Sequence, residues 1–380
     1  MKTTTSDIIT TQQMLALVRA ALHGTAPDEN LFVDSGEAEW NKLFTLSSAQ
    51  EVIILSLDGT MLLPKKLQPP LPVKLRWIAS VDVKEKRYRH CLETARELSA
   101  RFRENNIRML LFKGLALSRL YPAPCSRQFG DIDIFLCGKA KEGNVVLERI
   151  AAKKKLAAKK HSNFFYKGFL IENHHTFLSH GSYKSFQQSG TLEKQLITIL
   201  TKTGIMDGTN LVESGQTEET ILFPPPDFDA LFVTLHTIAH FPSGIMLRQL
   251  CDLTVLFTAY KGKIDFSLYR NALSEAGLLK LTNVLISLSV GKLGLNPEYA
   301  PQYESDLALE NRIWDDMINP KVPRLPDEKR SLFNVIIYKI KLLRSRYWKS
   351  ELIFQGQYGK RILFSTCYHL RHPEIIKKVF

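Results

Sequence analysis

The chain has 380 residues, with 51 Lys and Arg against 38 Asp and Glu, a formal charge of +13 and a pI near 9.4. At roughly 100–200 residues per domain this length suggests two or three domains, and 44% hydrophobic residues exclude a chain that is disordered overall. The positive surplus points to polyanionic partners such as nucleic acid, nucleotides or an anionic membrane surface, with a plain basic surface as the competing reading. Cys91, Cys125, Cys137, Cys251 and Cys367 are scattered, odd in number and free of any C-x-x-C, which fits neither a disulfide framework nor a zinc site and suits the reducing cytoplasm. The opening MKTTTSDIITTQQMLALVRAAL lacks a continuous apolar run, so no signal peptide is expected. The most apolar stretch, Leu278–Leu295, is interrupted by Lys280, Asn283 and Lys292, so no membrane-spanning segment is expected.

Ile8, Ile9, Met14, Leu15, Leu17, Val18 and Leu22 recur at helical spacing over residues 7–24. Residues 38–63 read as further helix, and the proline-rich 65–73 as a connector. Helical periodicity returns from Lys74 to about Asn105, with Leu92, Ala95, Leu98 and Phe102 on one face. The pattern then changes. IRMLLF, ended by Lys113-Gly114, reads as a buried strand, LALSRLY as one or two helical turns stopped by Pro122 and Pro124, and GDIDIFL as a second strand. Residues 143–160 resemble a helix with a lysine-rich end, and 164–177 a hairpin turning at Lys167-Gly168. The polar 200–220 region reads as a long loop, ILFPPP as an extended piece, and 227–241 and 246–260 as helices, with helices dominating to the C-terminus. The expected fold class is therefore α+β: a helical region over 1–104, a small mixed sheet within 105–226, and a helical region over 227–380.

The chemistry is concentrated in LLFKGLALSRLYPAPCSRQFGDIDIFL, residues 110–136. Asp131 and Asp133, at i and i+2 on a strand, project from one face, while Ile132 and Ile134 anchor the other. Carboxylates that close repel each other unless a cation lies between them. Hard oxygen ligands of this kind suit Mg²⁺, completed by substrate phosphates; Mn²⁺ is an alternative. A third carboxylate from a neighbouring strand completes a site for phosphoryl transfer, and Glu172 is the candidate. A lone D-x-D more often lies on a solvated strand face, so its surroundings matter. Gly130 precedes the pair, Lys113-Gly114 ends the preceding strand where phosphate could approach the main chain, and Arg127 is placed to meet phosphate oxygens.

These residues resemble those of an uncharacterised, mainly bacterial nucleotidyltransferase family within the DNA polymerase beta-like superfamily. The family pattern runs through a strand ending in Lys-Gly, a helix, a Tyr-Pro turn, an Arg and then Gly-Asp-h-Asp-h, where h is apolar. Lys113, Gly114, Tyr121, Pro122, Arg127, Gly130, Asp131 and Asp133 supply it in that order. An acidic residue two before a His follows at Glu172 and His174. Helices bearing His236 and His240, then Arg248 and Asp252, complete the resemblance over about residues 40–270. The wider superfamily has Gly-Ser or Gly-Gly where this chain has Lys113-Gly114. The resemblance implies a polymerase beta-like core enclosed by helices from both ends. It also implies a Mg²⁺-dependent transfer of a nucleoside monophosphate from a nucleoside triphosphate to an acceptor (RNA or tRNA, a protein, or a small molecule), with release of pyrophosphate. Asp131, Asp133 and Glu172 are the implied metal ligands, and Lys113, Gly114, Arg127 and Gly130 the implied phosphate contacts.

His236 and His240 are spaced for zinc, but Glu does not follow the first and no third ligand is evident, so packing or a hydrogen bond beside the nucleotide is the preferred reading. Arg248 and Asp252, also i and i+4, most often make a surface salt bridge, with substrate orientation as the alternative. If the 164–177 hairpin holds, one of His174 and His175 faces the site, where general-base duty is conceivable. Lys153, Lys154, Lys155, Lys159 and Lys160 read as a solvated helix face or as a guide for a polyanionic acceptor. The competing class is a non-catalytic basic protein that retains the fold and binds nucleic acid or a protein partner.

Overall fold

The computed structural model describes residues 5–151, 153–155, 161–178, 186–208, 221–319 and 332–359. Helices α1 (Thr5–His23), α2 (Glu37–Ala49), α3 (Ile53–Met61) and α4 (Leu71–Glu104) precede the sheet. The expected helix over 38–63 is broken at Gln50–Val52, where Glu51 takes φ 56°. The expected connector is shorter than its prolines suggested. Pro72 stands in the first turn of α4, where a missing N–H costs nothing.

The strands are β1 (Leu110–Phe112), β2 (Asp131–Phe135), β3 (Lys153–Lys155), β4 (His161–Tyr166) and β5 (Phe169–His174), in the order β1-β2-β5-β4-β3. Among the described strands, β2 and β5 run parallel and the other neighbours are antiparallel. The β4–β5 turn falls at Lys167-Gly168 as expected, both with positive φ, the geometry of a tight hairpin. A short helix, α5 (Gly114–Ser118), follows β1, and α6 (Ala140–Ile150) follows β2. The extended piece at Leu222 adds a parallel bridge to Leu110.

The helix expected over 143–160 ends at Ile150. Ala151 turns to ψ 140°, and Lys153–Lys155 pair with β4 as an edge strand. Lysines suit an edge because a charged rim resists further strand pairing, and the sheet overrides the helical propensity of the run. Lys159 and Lys160 lie outside the described residues, as do 209–220 of the expected loop.

The remaining helices are α7 (Phe186–Lys202), α8 (Pro226–His240), α9 (Leu247–Ala259), α10 (Phe266–Glu275), α11 (Leu279–Leu293), α12 (Leu307–Ile318) and α13 (Leu332–Phe354). The sheet separates two apolar clusters. Leu111, Ile132, Ile134, Phe164 and Ile171 face the second half of α4 (Cys91, Ala95, Leu98, Phe102) and α6. Leu110, Phe112 and Phe135, on the opposite face, join a larger core that takes in Val73, Trp77 and Val81 of the first half of α4 together with residues of α1, α3, α8, α9 and α11. With 34 residues, α4 is about 50 Å long and serves both cores. Helices from both ends of the sequence thus share one core with the face of the sheet that carries the acids.

Candidate active site

Strand alternation puts Asp131, Asp133, Glu172 and His174 on the face opposite Ile132, Ile134 and Ile171. The parallel register sets Asp133 directly beside Glu172. Carboxylate oxygens of Asp133 and Glu172 and a ring nitrogen of His174 lie within 4.8 Å of one another. His174 Nε2 is 2.7 Å from Asp133 Oδ1 and 3.4 Å from Glu172 Oε2. The Lys113 ammonium donates to the same Asp133 oxygen at 2.5 Å. His161, on β4, extends the row, with Nε2 3.6 Å from Glu172 Oε2. Sequence reasoning did not single out His161; its signal was the alternation His161, Asn163, Phe165 ahead of the hairpin. Of the adjacent histidines, His174 faces the acids, whereas His175 reaches Ser162 at 3.0 Å.

Burial decides the electrostatics. It pushes the Asp131 carboxyl up to about 6, the Asp133 and Glu172 charges add to the rise, and Lys113 and Arg127 only partly oppose it. Burial acts on Asp133 too, but there the Lys113 ammonium and the His174 hydrogen bond outweigh it and hold the carboxyl well below the usual range. One acid of the pair is therefore firmly ionised and the other is short of positive charge.

The acids open into a cleft of about 780 Å³ whose lining includes Lys113, Gly114, Arg127, Gly130, Asp131, Asp133, His161 and Glu172. Phe232, His236 and His240 of α8 line it too, as do Glu51, Met246, Arg248 and Gln249. An aromatic cluster seats α8 there. Phe112 meets Phe232 at 5.3 Å between ring centroids and Phe177 at 5.3 Å, and Phe177 meets Phe228 at 4.8 Å. Phe232 then stacks on His236, and His236 packs edge-on against His240. The chain leaving β5 is fixed by Glu193 of α7, which accepts from the N–H groups of Phe177 and Leu178.

The loop before β2 is tied to α4. Lys84 of α4 donates to the Gln128 side chain at 2.7 Å, and Arg87 donates to the Gly130 carbonyl at 3.4 Å. A Cβ on Gly114 would come within 3.0 Å of Phe129 and 3.2 Å of Arg127 Nη1, so a side chain there would press on both, whereas one on Gly130 meets no protein atom within 4 Å.

Arg127 and Asp252, far apart in sequence, form a buried bidentate pair, with Nε–Oδ1 at 3.1 Å and Nη2–Oδ2 at 3.0 Å. Tyr121 donates to Asp252 at 2.7 Å and Arg248 at 3.0 Å, and Arg248 continues to Glu51 at 2.5 Å. The surface salt bridge expected for Arg248 and Asp252 is thus an interior one. Asp252 is 3% exposed, because α9 packs this face against the loop before β2. Ser118, the last residue of α5, is buried and donates to the Leu115 carbonyl.

A small mixed sheet that presents acids to a cleft lined by helices is an α+β fold of nucleotidyltransferase type. Residues 36–290 match the family model described as "Uncharacterised nucleotidyltransferase", and the chain belongs to that family; it is a transferase. No curated protein and no solved structure matches the chain. Among the described residues no helix is long and apolar enough to cross a membrane.

Proposed function

We propose that this chain transfers a nucleoside monophosphate from a nucleoside triphosphate to an acceptor, in the manner of the DNA polymerase beta-like superfamily, with Asp131, Asp133 and Glu172 holding a divalent cation. The observation that carries this reading is the register. Glu172 lies beside Asp133 across a parallel strand pair, on the face that opens into the cleft. Asp133 and Glu172 offer hard oxygen donors beside His174, Asp131 follows on the same strand face, and carboxylates of this kind suit Mg²⁺ or Mn²⁺; the high-lying Asp131 is the acid whose ionised form such a cation favours. When bound, the cation offsets the charge of the triphosphate and of the departing pyrophosphate.

The residues of the chain supply the rest. His174 and Lys113 keep Asp133 ionised and fixed in orientation. Arg127, with two of its nitrogens committed to Asp252, keeps Nη1 beside Gly114 at the cleft wall, where a phosphate oxygen can accept from it. Glu172, 3.6 Å from His161, completes the metal site or takes the proton of the acceptor's attacking oxygen. The acceptor is a polyanion such as RNA, a protein hydroxyl or a small molecule. The convergent acids favour catalysis over a purely binding role for the basic surface.

The test is transfer of label from α-³²P nucleoside triphosphates in Mg²⁺, comparing wild type with Asp131→Ala and Asp133→Ala. Both variants are expected to lose transfer. Undiminished transfer in both removes the assignment.

A further inference from the structure

Lys113 stands between β1 and α5 with φ 57° and ψ −133°, a conformation that residues with a Cβ rarely adopt and that persists where the surroundings enforce it. A glycine would make this turn without strain. The chain instead carries a side chain here, and it runs into the acidic cluster. Its ammonium lies 2.5 Å from Asp133 Oδ1 and 3.4 Å from His174 Nε2. The Lys113 side chain is 11% exposed and that of Asp133 2%. The ammonium therefore touches the donor set formed by Asp133, Glu172 and His174 while lining the cleft beside Asp131 and Gly114.

A divalent cation that engages Asp133 comes within a few ångströms of this ammonium, and like charges that close in partly desolvated surroundings repel strongly. The two compete for one carboxylate. A lysine is a compact charge on a flexible stem, so it can exchange Asp133 for another anion within reach, and a triphosphate entering the cleft is such an anion. We propose that Lys113 is a built-in counter-ion of Asp133 which yields to a divalent cation when a nucleoside triphosphate takes over its ammonium, so that metal and nucleotide bind as a coupled pair. This rests on the nucleotidyl-transfer reading. Lys113 acts as a positioning residue. It opposes the cation while the cleft holds no triphosphate and pairs with the phosphates when it does.

The test uses the full chain, stripped of metal by chelation and titrated with Mn²⁺. Free Mn²⁺ is followed by electron paramagnetic resonance, with and without an α,β-methylene nucleoside triphosphate. Lys113→Met removes the charge, and Lys113→Gln removes it while retaining a hydrogen-bond donor, which guards against loss of folding. Without nucleotide, both variants are expected to bind Mn²⁺ about tenfold or more tightly than wild type, within the usual range of coupling between sites. The analogue is expected to tighten Mn²⁺ binding in wild type by a larger factor than in either variant. Mn²⁺ affinity that is unchanged or weaker in both variants overturns the proposal, and so does an equal effect of the analogue on all three proteins. If Lys113→Met combined with Asp133→Asn binds Mn²⁺ as tightly as Lys113→Met alone, Asp133 is not a ligand, and the transfer reading falls together with the inference.

Discussion

Replacing Asp252 by Asn separates the charge of the buried network from its shape. Asp252 accepts four hydrogen bonds, from Tyr121, from two nitrogens of Arg127 and from Arg248. Arg248 retains Glu51 as a second carboxylate, whereas Arg127, 6% exposed, has its ion pair with Asp252 and otherwise donates to the Gln128 carbonyl. The amide keeps the volume but leaves a buried guanidinium uncompensated, which costs about 3–5 kcal/mol. Arg248→Met in the same network leaves Asp252 paired with Arg127 and removes hydrogen bonds to two carboxylates, at about 2–3 kcal/mol. At about 2 °C per kcal/mol for a protein of this size, Asp252→Asn should lower the thermal midpoint by roughly 6–10 °C and Arg248→Met by roughly half that. Differential scanning calorimetry at pH 7.5 measures both. A loss below about 1 kcal/mol for Asp252→Asn, or a larger loss for Arg248→Met, would refute the view that Asp252 is the hub and Arg127 its dependent partner.

Glu172→Gln keeps the strand and its register but removes a charge from the acidic row, and its transfer rate should fall about 100-fold or more, since even outer-shell changes at metal sites cost 10–100-fold; a single-turnover assay with saturating Mg²⁺ checks it, and a near-normal rate removes Glu172 from the chemistry. Asp229 is buried, and one of its oxygens has no hydrogen-bond partner. Burial pushes its carboxyl from 3.8 up to about 7, against the pull of Arg119 and Tyr260. Its folded-state pKa is raised, so the protonated acid favours the fold at low pH and this contribution is lost as pH rises toward 7, in total ~4 kcal/mol. Asp229→Asn should therefore gain stability relative to wild type between pH 5 and pH 8, and parallel melting curves across that range would contradict the assignment. A Cβ on Gly59 would sit 2.2 Å from the Leu17 carbonyl oxygen where α3 crosses α1. Gly59→Ala should thus cost about 1–3 kcal/mol, read by chemical denaturation, and an unchanged midpoint would show that the crossing can spread freely.

Much of the sheet and of one half of the site was legible in the sequence, because both depend on short-range pattern. Alternation of Asp131 and Asp133 with Ile132 and Ile134 fixes strand and face together, and a positive-φ pair at Lys167-Gly168 fixes the hairpin that carries Glu172. The lysine run at 153–155 misled because its local preference is helical, while pairing with β4 overrides it. His161 escaped notice because the expected hairpin began at residue 164, three residues short of the strand that pairs His161 with His174. Arg248 and Asp252 read as a surface pair because helical spacing says only that they share a face, not what that face meets.

The sequence by itself therefore determined the class of the fold, the strand bearing the paired acids and the family to which the chain belongs. Only the tertiary structure decided that Glu172 stands in register with Asp133, that Lys113 lies against that carboxylate, and that Asp252 of α9 holds Arg127 in the interior. Each of these joins residues distant in the chain, and the strength of a charged contact depends on the burial and partners that folding supplies, which no local pattern of residues records.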